Sequence, residues 1–228
     1  MTTLTGILLI VLPVAFNVAF AALAKAFDYP DILRRPTSEI LDRFRAGGSR
    51  LVTLWWAFAM TALAFAPVAV LVSEVVDGNA TVLRLAVVVG VLAGLVQLLG
   101  LLRWPFLVPY LAREDVDASP ARREAVDIVF QAFHRYLGVA VGEHLGYLLT
   151  GAWSVLVGVA LTQGSTAPAW LGAVGIAAGA LLMMCSLEFV GRFEPAGWRL
   201  DALGVAVQVV QEVLGLEGER ADACAQRV

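Results

Sequence analysis

Five long apolar stretches set the strongest constraint on what this chain can fold into. They cover about 4–27, about 51–73, about 82–104, about 138–162 and about 168–190. A helix needs roughly 20 apolar residues to cross the hydrocarbon core of a bilayer. Backbone polar groups must be paired in lipid, and the stretches show no period-two alternation, which argues against a β-barrel. The sequence therefore predicts an all-α fold, a polytopic transmembrane helical bundle.

The composition excludes several other classes of protein. Apolar residues make up 60% of the chain, charged residues make up 15%, and the formal net charge is −3. Average soluble domains contain about 25% charged residues. These values argue against a disordered chain, a basic nucleic-acid binder and a disulfide-stapled miniprotein. We therefore expect the lipid bilayer to be the main partner, with no nucleic acid bound.

A sixth helix is expected at 201–216. This segment is short, and Asp201, Gln208 and Glu212 recur on one of its faces at helical spacing. It either spans the membrane or lies in the interface. The predicted organisation is a helical bundle over 1–200, this helix, and a polar tail over 217–228.

The distribution of cationic residues predicts the orientation of the bundle. Lys and Arg are concentrated in the first, third and fifth connections and nearly absent from the N-terminus and the other connections. Cytoplasmic connections carry the excess of such residues. The N-terminus is therefore expected outside, and the segments 28–50 and 105–136 are expected at the cytoplasmic interface.

These two cytoplasmic segments should contain helices of their own. In the first, Thr37 or Ser38 is expected to cap a short amphipathic helix that ends at Gly47-Gly48. Its basic side would meet anionic headgroups, although an ordinary solvated connector is an equal alternative. In the second, residues 121–136 should continue into the fourth span as one helix.

The fourth span carries most of the intramembrane polar side chains. At 3.6 residues per turn they form one stripe, beside an edge of small residues that lets another backbone approach closely. The stripe consists of Tyr136, Glu143, Tyr147, Thr150 and Ser154, and the edge of Gly138, Gly142 and Gly146. Most tryptophans, including Trp55 and Trp104, lie near span ends, as in an aromatic belt.

Glu143 is the central candidate for a functional residue. A lone ionised carboxylate costs several kcal/mol in lipid, so it must be protonated, paired or hydrated. Arg103 or His144 is the expected partner. Most polar groups fall in the cytoplasmic half of the bundle, which predicts a polar crevice open to the cytoplasm. The candidate ligand or proton site consists of Glu143, His144, Tyr147, Arg103, Gln97, His134, Glu188 and Asn17.

The sequence leaves three hypotheses about function open. The first is a non-enzymatic sensor or transport-related protein whose crevice binds a small ligand or a proton. The second is an intramembrane metalloprotein or enzyme using His134, Glu143 and His144, although the two histidines lie ~15 Å apart on a straight helix. The third is a structural or homo-oligomeric partner that uses the glycine edge, with the polar residues serving as interhelical hydrogen bonds. No motif predicts a metal or another cofactor, and none identifies catalytic residues.

Three sequence blocks resemble a known family. They are Phe27-Asp28-Tyr29-Pro30-Asp31-Ile32-Leu33-Arg34-Arg35-Pro36, Arg103-Trp104-Pro105-Phe106-Leu107-Val108-Pro109, and Phe133-His134-Arg135-Tyr136 running on to Gly142-Glu143-His144-Leu145-Gly146-Tyr147. Over roughly residues 5–195 the chain resembles a bacterial, often actinobacterial, family of small multi-pass membrane proteins catalogued as a domain of unknown function. The resemblance implies six helices and a bacterial cytoplasmic (inner) membrane, and it implies no activity. The mixed segment at 201–216 departs from the final apolar span that the family pattern would have.

Overall fold

The computed structural model describes residues 2–190, and that part of the chain is helical with short connections. The helices are α1 (Thr2–Phe27), α2 (Thr37–Val75), α3 (Ala80–Phe106), α4 (Val108–Glu114), α5 (Pro120–Phe133), a π-helix (His134–Leu145), α6 (Gly146–Gln163) and α7 (Ala169–Cys185), with 3₁₀ turns at Asp31–Arg34 and Ser186–Phe189. The expected helix at 201–216 and the tail at 217–228 lie outside the described residues.

Within residues 2–190, five helical segments are long and apolar enough to cross a membrane. They are Thr2–Phe27, Thr37–Val75, Ala80–Glu114, Pro120–Gln163 and Ala169–Phe189. This confirms the five predicted spans and the all-α fold. The fourth segment is one continuous helical run from α5 through the π-helix into α6, as the sequence predicts.

Each span packs against the next one in the chain. Helix α1 packs against α2, α2 against α3, α3 against the π-helix and α6, and α6 against α7. The predicted glycine edge of the fourth span lies at the contact with α3, because a Cβ at Gly142 would lie 3.0 Å from the Cα of Gly100. Small residues at such contacts let two backbones approach closely. The glycine edge is therefore buried against α3 of the same chain. It is not available as the interface between subunits that the oligomeric hypothesis proposed.

Polar contacts join the connections in two sets. Gln131 donates to the Thr37 hydroxyl at 3.0 Å, and that hydroxyl donates to Asp127, so the start of α2 is bound to α5. Between other spans, Ser165 donates to Asp77 at 2.9 Å. Pro36 is at the N-cap of α2 and no side chain in the described part of the chain caps the helix, so the expectation that Thr37 or Ser38 caps it is wrong; Thr37 instead binds across the fold.

Helix α2 contains a sharp change of direction at Gly48. Gly48 has a positive φ of 55°, a backbone conformation that glycine adopts without the steric cost of a Cβ. The residues before it form the predicted amphipathic helix, and Ile40, Leu41 and Phe44 are buried. That apolar face packs into the core of the protein itself rather than against lipid.

An aromatic core lies where α1, α2 and α3 meet. Trp55 and Trp104 are fully buried and stack with ring centroids 4.5 Å apart, and Phe27 packs edge-on against both rings. These two tryptophans are interior residues, so the aromatic-belt assignment is wrong for them. Sequence position near a span end does not distinguish an inward ring from one that faces the headgroups.

We predict that Gly100→Ala separates α3 from the fourth span. The new Cβ would lie 2.6 Å from the Cα of Gly142 and 2.9 Å from the Leu137 carbonyl oxygen, and neither backbone atom can rotate away. Overpacking of this kind costs about 1–3 kcal/mol, or roughly 3–10 °C in melting temperature. Circular dichroism in detergent micelles measures the melting temperature. Gly6→Ala is the control, since a Cβ at Gly6 has no neighbour within 4 Å; equal melting temperatures for the two variants would contradict the proposed helix contact.

Candidate functional site

Arg103 is a buried charged residue near the end of α3, with 8% of its surface exposed. Its Nη1 donates to the carbonyl oxygen of Gly100, one turn back in the same helix. Its Nη2 lies 3.4 Å from Nδ1 of His134. Because a guanidinium only donates hydrogen bonds, Nδ1 of His134 must be the acceptor. This contact ties the end of α3 to the start of the π-helix.

The guanidinium of Arg103 fits because its neighbours leave room for it. A Cβ on Gly138 would lie 2.6 Å from Cζ of Arg103, so glycine provides the space on the π-helix. On the other side, Cζ lies 5.3 Å from the centroid of the Trp104 ring, within the range of a cation–π contact. The His134 ring in turn stacks on Phe130, with centroids 5.9 Å apart.

Glu143 lies on the π-helix and is partly buried. It interacts electrostatically with Arg103 and with Glu188. Among residues 2–190, however, its carboxylate makes no hydrogen bond and no close ion pair. Arg103 and Glu143 are therefore neighbouring charges that do not touch, so the predicted pairing takes the form of a longer-range interaction.

Tyr29 completes this cluster, and the sequence analysis did not select it. It follows α1 in the first connection, its ring lies edge-on 5.0 Å from that of Trp55, and its phenol interacts electrostatically with Glu143 and Arg103. Burial raises the pKa of the Tyr29 phenol above its usual range, with Glu143 acting in the same direction. The phenol therefore stays protonated at neutral pH and is available as a hydrogen-bond donor. Its position in the Phe27–Pro36 block was the only sequence signal for it.

Tyr147 and Glu188 also belong to this cluster, and they come from α6 and from the turn after α7. Tyr147 follows the π-helix in α6, and its ring packs edge-on against Phe189 with centroids 5.4 Å apart. Glu188 lies in the 3₁₀ turn after α7 and interacts electrostatically with Glu143 and Tyr147. We call the set Tyr29, Arg103, His134, Glu143, Tyr147 and Glu188 the polar cluster.

His144 points to a different neighbour. Its Nδ1 lies 2.8 Å from the carbonyl oxygen of Ser186, so this nitrogen carries the proton and donates. The buried Ser186 hydroxyl donates to the Met183 carbonyl at 2.6 Å. His144 therefore binds the end of α7 to the fourth span. It does not contact Arg103, and it is not the partner of Glu143.

The described residues hold no group of three or more His, Cys, Asp or Glu side chains that could bind a metal ion. His134 and His144 each use Nδ1 on a separate neighbour, Arg103 and Ser186. The structure therefore does not bring together the ligands that the metalloprotein hypothesis requires within this part of the chain.

Asn17 and Gln97 lie in a second polar region, separate from the polar cluster. They line an open groove between α1, α2, α3 and α6, together with Thr61 and Thr150. Gln97 donates from Nε2 to the Thr150 hydroxyl at 3.1 Å, which joins α3 to α6. The eight sequence-predicted site residues thus divide into the polar cluster, the His144 contact and this groove.

The π-helix explains why Tyr136 does not share a face with Glu143 as the predicted polar stripe requires. Its hydrogen bonds run from i to i+5, so residues seven apart within it no longer coincide as they nearly do in an α-helix. Tyr136 faces outward with 69% of its surface exposed. In the regular helix α6 that follows, Thr150 contacts α3 and Tyr147 packs on the turn after α7. π-Helical turns occur frequently at functional sites, and Glu143 lies within this one.

The fold and the polar cluster define a class of protein, a helical membrane protein with charged side chains held inside its bundle. The model of the family described as Domain of unknown function (DUF4386) matches residues 4–215, and the chain belongs to this family. The predicted resemblance to a domain of unknown function is thereby confirmed. No curated protein and no solved structure matches the chain.

We predict that Tyr29→Phe reduces the loss of stability at alkaline pH. The usual pKa of the phenol is 10.0, and burial raises it in the folded protein, so the folded state holds this proton more tightly than the unfolded state does. The stabilising effect is complete below about pH 10 and is lost as the pH rises further. Melting temperatures between about pH 9 and pH 11 should fall less steeply in Tyr29→Phe than in the wild type. Tyr110→Phe, whose ring is half exposed, is the control and should match the wild type.

Proposed function

We propose that the polar cluster is a crevice reached from the cytoplasm that binds a small ligand or a proton. The protein would act as a sensor or a transport-related module without catalysing a reaction. The observation that carries this proposal is the Glu143 carboxylate, which lies in a membrane-spanning segment and lacks a direct partner among residues 2–190.

The energetics of a carboxylate in the membrane support this interpretation. An ionised carboxylate without a partner is costly at low dielectric, so it must take up a proton, water or a polar group of a ligand. Arg103 does not neutralise it directly, because its two terminal nitrogens bond to Gly100 and His134. A small species that contacts both Arg103 and Glu143 would compensate the two groups at once.

The groups that face Glu143 come from several elements. Tyr29 belongs to the first connection, Arg103 to α3, Tyr147 to α6 and Glu188 to the turn after α7. A change of charge at Glu143 would therefore act on the contacts between helices that are distant in sequence. This arrangement suits a protein that responds to binding with a shift in helix packing.

We infer that the protein resides in a bacterial cytoplasmic membrane with its N-terminus outside. The concentration of Lys and Arg in alternate connections supports the orientation. The polar contacts of Thr37 with α5, and of Ser165 with Asp77, join connections that this orientation puts on the same side. The homo-oligomer stays a prediction, and its interface would have to lie away from the α3 contact.

We predict that Glu143→Gln changes the pH dependence of stability. The amide cannot titrate, so the difference in melting temperature between about pH 5 and about pH 8 should change by about 2 °C or more. Thermal unfolding of the protein in detergent micelles measures this difference. Glu74→Gln removes an exposed carboxylate near the end of α2 and is the matched control. If Glu143→Gln and Glu74→Gln both retain the wild-type pH profile, Glu143 is not a working titrating group.

We predict that cysteine labelling shows an external N-terminus. Thr3→Cys and Ser38→Cys would each be introduced into a chain whose own cysteines, Cys185 and Cys224, are replaced by serine. Both positions are exposed, so their accessibility depends only on the side of the membrane. A membrane-impermeant maleimide should label Thr3→Cys in spheroplasts and Ser38→Cys only after lysis. The opposite pattern would overturn the orientation and the cytoplasmic opening of the crevice.

A further inference from the structure

The groove between α1, α2, α3 and α6 has its own chemistry, independent of the polar cluster. Its volume is about 210 Å³, and it is lined mainly by apolar side chains such as Phe16 and Phe65. Four polar side chains, one from each helix, also line it: Asn17, Thr61, Gln97 and Thr150. Ligand sites combine mostly apolar walls with a few polar groups that fix orientation, and this groove has that character.

The hydrogen bonds in the groove occupy both N–H groups of Gln97 and one of the two of Asn17, and they leave both amide oxygens as acceptors. Asn17 Nδ2 donates to the Pro13 carbonyl at 2.8 Å, and Gln97 Nε2 donates to the Ala93 carbonyl and the Thr150 hydroxyl at 3.1 Å. The carbonyl partners accept only, so these contacts also fix which end of each amide is nitrogen. The side-chain carbonyl oxygens of Asn17 and Gln97 make no hydrogen bond with any residue among 2–190.

The Thr61 hydroxyl adds a third acceptor. It donates to the Phe58 carbonyl at 2.6 Å, which leaves its oxygen lone pairs available. Unpaired amide oxygens are costly in lipid, so an occupant that donates hydrogen bonds is favoured. Among the described residues, none that lines the groove is charged, so this part of the chain would not compensate a bare cation there.

We propose that the groove binds a small neutral molecule with an aromatic or aliphatic body and a hydroxyl donor, of the phenol class, taken up from the bilayer. The volume of the groove is sufficient for a molecule of the phenol class. An apolar cavity of about 150 Å³ holds one benzene, and the groove is somewhat larger. The ring packs against Phe16 and Phe65, and the hydroxyl donates to the amide oxygen of Asn17. The exposed position of Asn17 on α1 puts the opening on the side that faces lipid.

Fluorine NMR with two matched probes tests this proposal. The probes are 4-fluorophenol and fluorobenzene, which share a ring and differ in the hydroxyl donor. They are added to the full-length protein in maltoside micelles, with empty micelles as the reference. The 4-fluorophenol resonance should broaden saturably with added protein, whereas fluorobenzene should show at least about threefold weaker binding because it lacks the hydrogen bond.

Two variants assign the binding to the groove. Asn17→Leu and Thr61→Val each remove a polar group whose only hydrogen bond lies within its own helix, so the fold is retained. Asn17→Leu should weaken 4-fluorophenol binding by about three- to tenfold, Thr61→Val by a smaller factor, and neither should change the signal of fluorobenzene. Val18→Leu, on α1 outside the groove lining, is the matched control and should match the wild type.

Three outcomes would overturn the proposal. Equal broadening of the two probes would mean that the groove binds apolar molecules without recognising a hydrogen-bond donor. Unchanged 4-fluorophenol binding in both Asn17→Leu and Thr61→Val would put the site elsewhere. No broadening beyond that in empty micelles would mean that the groove holds only water. None of these results depends on Glu143, so the polar cluster and the groove are tested separately.

Discussion

The buried guanidinium of Arg103 is the constraint around which the functional part of this bundle is arranged. A cation inside a membrane protein needs acceptors, and Arg103 obtains them from the Gly100 carbonyl and from Nδ1 of His134. The space for it depends on the absence of a side chain at Gly138. Helix α3 and the π-helix are thereby fixed in register, and Glu143 is held near Arg103 without touching it.

The two polar regions of the bundle differ in what they offer a bound species. The polar cluster contains opposite charges that remain apart, together with the phenol donor of Tyr29. The groove contains neutral amide and hydroxyl groups, among them the side-chain oxygens of Asn17 and Gln97 that make no hydrogen bond with residues 2–190. Charged or protonatable species therefore suit the first region, and neutral donors suit the second.

Some of the site was predictable from local sequence, and some was not. The glycine edge and the buried face at Ile40 follow from residue type and helical spacing, which are local properties. Tyr136 does not lie on the predicted polar stripe, because the residue spacing changes within the π-helix. Tyr29 was missed because a tyrosine in a connection carries no periodic signal, and its role depends on contacts with α3 and the fourth span.

The sequence by itself determined the number of described spans and the all-α fold, because the cost of unpaired backbone groups in lipid leaves an apolar run of that length no alternative but a helix. Only the tertiary structure decided which polar residues meet. It brings Tyr29 within electrostatic range of Glu143, and it joins His144 to Ser186 and Gln97 to Thr150 by hydrogen bonds. The physical reason is that hydropathy is summed along the chain, whereas hydrogen bonds and charge contacts depend on how helices distant in sequence are rotated against one another.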